Sequence, residues 1–376
     1  MILPGATLGV LGGGQLGRMF ALRARVMGYG VLVLDPDPAS PAGQVADCHL
    51  KAAYTDRAAL DQMAATCAAV TTEFENVPAE TMERLAQSVP VHPSPAAVAV
   101  AQDRIVEKTF LQEHDFATAP FQPVYDEQSL RDAVAGVRFP ALLKTSRLGY
   151  DGKGQVTIEH PSGALDAFAR LGRVPSVLEE RLTLEQELSV VLARGSDGAV
   201  VPFPVAENRH RDGILDSTVV PAAVSDALSQ EARRLAARVA GALDYVGVLG
   251  VELFVANGGR LFVNELAPRP HNTGHWTLDA CTTDQFEQQV RALCGLPLAT
   301  ARLLSPVAMV NLLGDLWRNG PPRWEEVFRR PGVRLHLYGK AEARPGRKMG
   351  HLNCLADDPR RALALALEAR DALVGP

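Results

Sequence analysis

The sequence is short of several things that a chain of 376 residues could carry. Its five cysteines, at 48, 67, 281, 294 and 354, form no CxxC pair. An odd, scattered set of thiols argues against a disulfide scaffold or a zinc ribbon and suits a reducing compartment. No charge-free apolar run approaches the roughly 20 residues of a bilayer span, so no transmembrane helix is expected. The opening Met1-Ile2-Leu3-Pro4 lacks the basic region and cleavage pattern of a signal peptide, which makes the cytoplasm the expected location. Positive charge is not in excess either: 38 Lys and Arg against 43 Asp and Glu leave a net charge of −5. That balance excludes a broad basic surface for nucleic acid or an anionic membrane. There is no internal repeat or low-complexity tract, so the domains are expected to pack against one another.

What is present is a composition of 47% hydrophobic and 22% charged residues, suited to a soluble protein of two or three domains. The first hundred residues alternate strand and helix signals. Thr7–Leu11 is an apolar run that ends in Gly12-Gly13-Gly14-Gln15-Leu16-Gly17, and Leu16, Met19, Phe20 and Arg23 then follow a helical spacing. Gly28-Tyr29-Gly30 stops that helix, and Val31–Asp35 reads as a second buried strand. Further on, residues 103–117 read as a helix. Residues 140–144, 156–159, 176–180, 187–193 and 199–205 read as strands, Ser225–Leu243 as a long amphipathic helix, and Pro359–Leu373 as a closing helix.

The glycine run contains GxGxxG, and Asp35 closes the following strand, which is close to a dinucleotide-binding fingerprint. A nicotinamide enzyme, a tight packing turn and an anion site at a helix N-terminus are all compatible with it. Lys144, ending a strand before Leu148-Gly149-Tyr150-Asp151-Gly152-Lys153-Gly154-Gln155, suggests a mobile flap over phosphates. The segment from Val248 to Glu265 reads as a β-hairpin turning at Gly258-Gly259, which sets Glu252 opposite Glu265 on one face. Two like charges at cross-strand distance are unfavourable unless a cation lies between them, and hard oxygen ligands suit Mg²⁺ carrying nucleotide phosphates. Arg269, His271, Asn272 and His275 leave the end of that hairpin as a polar loop fit for an acyl or carboxylate group. Lys340, Arg344, Arg347 and Lys348 gather around a Pro-Gly turn as a compact anion site. From Arg323 to Lys348, eight Arg and Lys stand against three Glu, a local excess hidden in the overall negative charge.

Taken together, Lys144, the flap Gly149–Gln155, Glu179-Glu180, Glu187, Glu252 and Asn264-Glu265 resemble the ATP-grasp superfamily in order and in residue type. Gly14-Gln15-Leu16-Gly17-Arg18-Met19, Glu265–Arg269, His271–Thr277 and Arg344–Asn353 further resemble the 5-(carboxyamino)imidazole ribonucleotide synthase family of purine biosynthesis. The resemblance implies a multidomain chain of α/β and α+β type. Its parts would be a Rossmann-like pre-ATP-grasp domain over 1–100, a small ATP-grasp subdomain with the lid over 101–178, an ATP-grasp core with the metal hairpin over 179–303, and a C-terminal domain over 304–376. It implies a ligase that joins ATP, bicarbonate and 5-aminoimidazole ribonucleotide by way of carboxyphosphate, uses Mg²⁺, and works as a homodimer.

By the same resemblance, Arg104, Lys144 and Gly149, Tyr150, Asp151, Gly152, Lys153, Gly154 and Gln155 contact ATP phosphates. Glu179, Glu180, Arg181 and Leu182 lie at the adenine, Glu187 at the ribose hydroxyls, and His210 at a further nucleotide position. Glu252 and Glu265, with Asn264, hold Mg²⁺; Arg269, His271 and Asn272 form the catalytic bicarbonate pocket. Gln15, Leu16, Glu73, Tyr150 and Asp151 lie near the aminoimidazole ribonucleotide, with Lys340, Arg347 and Lys348 at its 5′-phosphate. The competing readings are a formate-activating sister ligase acting on glycinamide ribonucleotide and an NAD-dependent oxidoreductase built on the glycine loop.

Overall fold

The computed structural model describes residues 1–149 and 152–374. Near-continuous apolar strands build a four-stranded parallel sheet at the N-terminus, in the order Cys48–Leu50, Gly30–Leu34, Thr7–Leu11, Ala69–Thr72. Both faces are covered, which is why the strands read as runs rather than alternations. On one face, Leu8, Val10, Val31 and Val33 pack with Phe20 of the helix Gln15–Val26 and with Phe286 and Val290 of the helix Gln285–Leu293, which belongs to a later part of the chain.

The second unit is an antiparallel sheet ordered Phe121–Val124, Ser176–Glu180, Ala141–Thr145, Gln155–Ile158. The helices Glu127–Ala135 and Ala164–Arg170 close its core around Leu130, Leu143, Phe168 and Leu178. The boundary expected after residue 178 falls inside the strand Ser176–Glu180, all five residues of which pair within this small sheet.

The third sheet has nine strands. Its path runs Arg260–Ala267, Gly247–Ala256, Leu184–Arg194, Ala206–Arg211, Ile214–Val220, Val307–Leu313, Lys348–Leu355, Val333–Leu337, and Val200–Pro202 pairs at Leu184–Arg194. The last strand is shorter than the sequence suggests: the Phe203 amide still donates to the Val191 carbonyl at 2.9 Å, but beyond it Phe203 and Val205 are buried in the core. The helix Asp226–Ala242, capped by Ser225, packs on one end of the sheet, and Pro359–Asp371, capped by Asp358, on the other. The C-terminal strands are therefore not a separate sheet: Ser217 of Ile214–Val220 pairs with Val310, and His351 pairs with Asn311. This continuity carries Lys348 to the same cleft as the hairpin carboxylates.

Candidate active site

The hairpin places Glu252 directly opposite Glu265, but not by the turn expected. The loop has three residues, Asn257, Gly258 and Gly259, all with positive φ (52°, 79° and 88°), and Ala256 pairs with Arg260. That register alone would set Glu252 against Asn264. The ladder shifts between Glu252 and Leu253, where Asn264 is the extra residue of a β-bulge, and Glu265 regains its place. Asn264 uses its position to donate from Nδ2 to Oε2 of Glu252 at 3.3 Å. Burial and the charge of Glu265 hold the Glu252 carboxyl above its ordinary range. The Arg104 guanidinium lies 3.6 Å from Glu265.

The strand Arg260–Ala267 runs out into the polar loop. The Arg269 Nε donates to Glu75 at 2.7 Å, and although burial would depress this guanidinium, Glu75, Glu265 and Glu73 hold it above its usual value. His271 Nε2 lies 3.5 Å from Oε1 of Glu252. Burial, with the charges of Arg269 and Lys348, pushes His271 well below the ordinary histidine range, so the ring is neutral near pH 7 and the contact is not an ion pair. Its Nδ1 accepts from the Thr273 amide at 3.4 Å and sits 2.8 Å from the Thr273 hydroxyl. Asn272 is buried, and both ends of its amide engage Asn311, at 3.1 and 2.8 Å.

On the nucleotide side, Arg104 ties the flap at its root by donating to the carbonyls of Thr145 (3.1 Å) and Gly149 (3.0 Å). A Cβ at Gly149 would come within 2.7 Å of the Arg104 guanidinium, which would have to give way. Lys144 pairs with Glu179 at 3.1 Å. Burial alone would raise the Glu179 carboxyl, but Lys108 and Lys144 outweigh it and hold it at about 2. Glu180 turns the other way and takes four hydrogen bonds from Arg138. The carboxylates of Glu179 and Glu180 are thus both ion-paired within the protein, and the amides of Glu180 and Arg181 donate to the Pro120 and Pro140 carbonyls. Leu182 is half-buried and Gln155 exposed at the start of its strand. Glu187 and His210 are in direct contact; burial would lower His210, but that carboxylate keeps it raised. Lys153 is exposed, while Gly152 and Gly154 both take positive φ (76° and 72°). Tyr150 and Asp151 lie outside the described residues.

The glycine loop is filled by the protein itself. Glu73 accepts from the amides of Gly14 and Gly17, the latter at 2.8 Å, and so sits on the N-terminus of Gln15–Val26. Asp35 accepts from the Gly13 amide and the Tyr54 hydroxyl, both at 2.7 Å, and from Asp37 at 2.8 Å. An NAD-type reading needs those amides for a pyrophosphate and that carboxylate for a ribose; both are committed elsewhere. Leu16 is part of the domain core, whereas Gln15 accepts from Lys340 Nζ at 2.7 Å across the cleft.

The basic window does not act as a unit. Arg323, Arg329 and Arg330 pair with Glu325 or Glu326 away from the cleft, and Arg344 pairs with Glu342 at the surface. Lys340 and Lys348 face inward: Lys340 donates to the Lys348 carbonyl at 2.6 Å, and the charge of Lys348 bears on Glu252, His210 and His271. Arg347 is half-buried and donates to the Glu342 carbonyl at 2.9 Å.

Several residues of the site escape a reading of the sequence. Glu75, Gln285 and Asn311 belong to none of the motifs above. Gln285, fully buried, accepts from the His271 amide at 2.8 Å and donates to its carbonyl at 2.9 Å, with His275 Nδ1 3.0 Å away. Glu107 and Lys108 did leave a signal: Arg104, Glu107, Lys108 and Leu111 share one helix face, and a charged pair beside a buried leucine marks an inward-facing site.

Three family models match the chain: a ribonucleotide synthetase preATP-grasp domain over 5–102, an ATP-grasp domain over 109–286, and a phosphoribosylaminoimidazole carboxylase C-terminal domain over 307–364. The chain is 46% identical over 351 residues to the N5-carboxyaminoimidazole ribonucleotide synthase of Brucella melitensis, covering 93% of this chain and 96% of that one. Among solved structures, the ADP complex of an N5-carboxyaminoimidazole ribonucleotide synthetase superposes with a TM-score of 0.92 at 42% identity, over 98% of this chain and 97% of that one. The Aspergillus clavatus N5-carboxyaminoimidazole synthase, in complex with ADP and 5-aminoimidazole ribonucleotide, gives 0.90 at 31% identity over 98% of both chains.

Proposed function

The chain belongs to the N5-carboxyaminoimidazole ribonucleotide synthase family of ATP-grasp enzymes, and from that membership we propose that its cleft couples ATP cleavage to carboxyl transfer from bicarbonate. The protein is an ATP-dependent ligase of purine biosynthesis that carboxylates the exocyclic amine of 5-aminoimidazole ribonucleotide. In the first step a bicarbonate oxygen attacks the γ-phosphorus and ADP leaves, giving carboxyphosphate. The amine then bonds to the carboxyl carbon, directly or as released CO₂, phosphate departs, and the amine gives up a proton.

The observation that carries this reading is the meeting of His271 with Glu252, opposite Glu265, within reach of the charges of Arg269 and Lys348. Arg269 supplies a permanent positive charge for bicarbonate and carboxyphosphate. Because the Thr273 amide donates to Nδ1, the neutral His271 ring carries its proton on Nε2. It therefore orients the carboxyl donor by donating a hydrogen bond rather than removing a proton. Gln15, Glu73 and the inward Lys340 and Lys348, with Arg347, serve the ribonucleotide; Lys144, the flap, Glu187 and His210 serve ATP.

Glu252 and Glu265, with Asn264, would hold Mg²⁺. The closeness of Glu265, which with burial raises the Glu252 carboxyl, supports a cation between them, and no cluster of three or more acidic, histidine or cysteine side chains forms a metal cage among the described residues. That donor set fits Mg²⁺, which takes one or two carboxylates and completes its shell with phosphates and water. Bound there, the ion would offset the negative charge of the nucleotide phosphates. No helix among the described residues is long and apolar enough to cross a membrane, and the family resemblance extends the reading to a cytoplasmic homodimer.

Release of ADP by the purified protein tests the proposal. It should require bicarbonate together with 5-aminoimidazole ribonucleotide. Full ADP formation with both left out, or with formate and glycinamide ribonucleotide in their place, would overturn it.

A further inference from the structure

Two lysines share one buried carboxylate. Lys108 Nζ lies 2.7 Å from Oε2 of Glu179, an ion pair rather than a well-angled hydrogen bond, and Lys144 Nζ lies 3.1 Å from Oε1. The side chains of Lys108 and Glu179 are each 2% exposed, whereas Lys144 is 14% exposed. Lys108 comes from the helix Arg104–Glu113, Glu179 from the strand Ser176–Glu180, and Lys144 from the neighbouring strand Ala141–Thr145 at the root of the flap.

Counting charge across this group leaves one cation over. Glu107, next to Lys108 on the same helix, is spent on the Leu266 amide, from which it accepts at 2.6 Å. The Phe121 ring, 5.8 Å from Lys108 Nζ, is uncharged. With Lys108 and Glu179 closed off from solvent, the surplus charge is expressed at Lys144, on the open side of the group.

We infer that Lys108 is a positioning residue for nucleotide binding: it is the standing counter-ion of Glu179, and so leaves the charge of Lys144 available to nucleotide phosphates. The inference rests on the reading of Lys144 as a phosphate contact. A buried carboxylate with a single partner holds it tightly, because losing that partner would leave an uncompensated charge in the interior. With a second cation already in place, Lys144 can turn to a phosphate while Glu179 stays paired. Lys108 acts through Glu179 and does not touch the nucleotide.

A double-mutant cycle on the full chain, reading ADP affinity by calorimetry in the presence of Mg²⁺, tests this. Lys108→Met should weaken ADP binding about tenfold in the native background and less than about twofold in the E179Q background, since a neutral amide no longer competes for Lys144. Equal losses in both backgrounds would mean that Lys108 acts on the nucleotide directly, and no loss in either would mean that it has no part in binding; both overturn the inference. If K108M alone does not fold, the comparison of E179Q with K108M/E179Q still decides, and a tenfold gap between them counts against the inference. Lys144→Met separates the layers. Unchanged ADP affinity in K144M removes the phosphate reading itself, whereas a loss in K144M without coupling between Lys108 and Glu179 removes only the inference.

Discussion

Glu252 faces Glu265 because a bulge at Asn264 offsets the extra residue in the hairpin loop. Each irregularity alone would move the second carboxylate out of register; together they restore it, and the bulged side chain bonds the first carboxylate at 3.3 Å. The pairing of two acids on one face thus rests on a compensated ladder.

Glu265→Gln should cost turnover about a hundredfold at ordinary Mg²⁺ concentrations, because an amide is a poorer ligand for a hard cation. Its far-UV circular dichroism and melting temperature should match the parent, since Glu265 is half exposed and its ion pair with Arg104 is long. Normal turnover across a Mg²⁺ titration would place the metal elsewhere.

Gln285→Leu should destabilise the protein by about 2–3 kcal/mol, because it strands the buried backbone groups of His271 that Gln285 bonds. Denaturant midpoints measure that loss. With His271 no longer held, the KM for bicarbonate should rise while the KM for ATP stays within about twofold; equal changes in both would point to a general loss of structure.

Glu107 gives a pH dependence with a definite sign. Burial and the charge of Glu265 raise its folded-state carboxyl to about 8, from 4.5 as the ordinary value. The folded state therefore keeps a proton that the unfolded chain has lost, and stability falls as pH rises between those values. Glu107→Gln keeps an acceptor for the Leu266 amide, which Glu107 binds at 2.6 Å, and removes the titration. Its stability should decline less than that of the parent between pH 6 and 9, as followed by urea denaturation at each pH. Parallel curves would show that Glu107 is ionised throughout.

Arg347→Ala should raise the KM for the ribonucleotide about tenfold and leave that for ATP nearly unchanged. In the structure Arg347 is only half-buried and bonds one carbonyl, so the fold does not depend on it. Equal shifts in both constants would mean that the basic loop serves a different anion.

Local pattern carried much of this architecture. The glycine loop, the strands on either side of the flap and the capped helices Asp226–Ala242 and Pro359–Asp371 all lie within about two residues of where apolar spacing and turn residues put them. Those signals depend on neighbours along the chain. Failures came where the deciding partner was distant. The glycine loop looked ready for a ligand's phosphate, but Glu73, more than fifty residues away, occupies its amides. The carboxylate of Glu180 is taken by Arg138, 42 residues away in the chain. The basic window looked like one patch until Glu326 took three of its arginines.

The amino-acid sequence by itself determined the inventory: which acids, cations and glycines exist, which of them share a strand or a helix face, and the family they signal. The tertiary structure alone decided which of them are spent on one another. Ionic and hydrogen-bonding partners are chosen by proximity in space and by burial, and burial sets the cost of leaving a charge alone. Lys108 and Lys144 are equally lysine in the sequence. Only the closing of the helix Arg104–Glu113 over Glu179 makes one a buried counter-ion and leaves the other at the edge of the cleft.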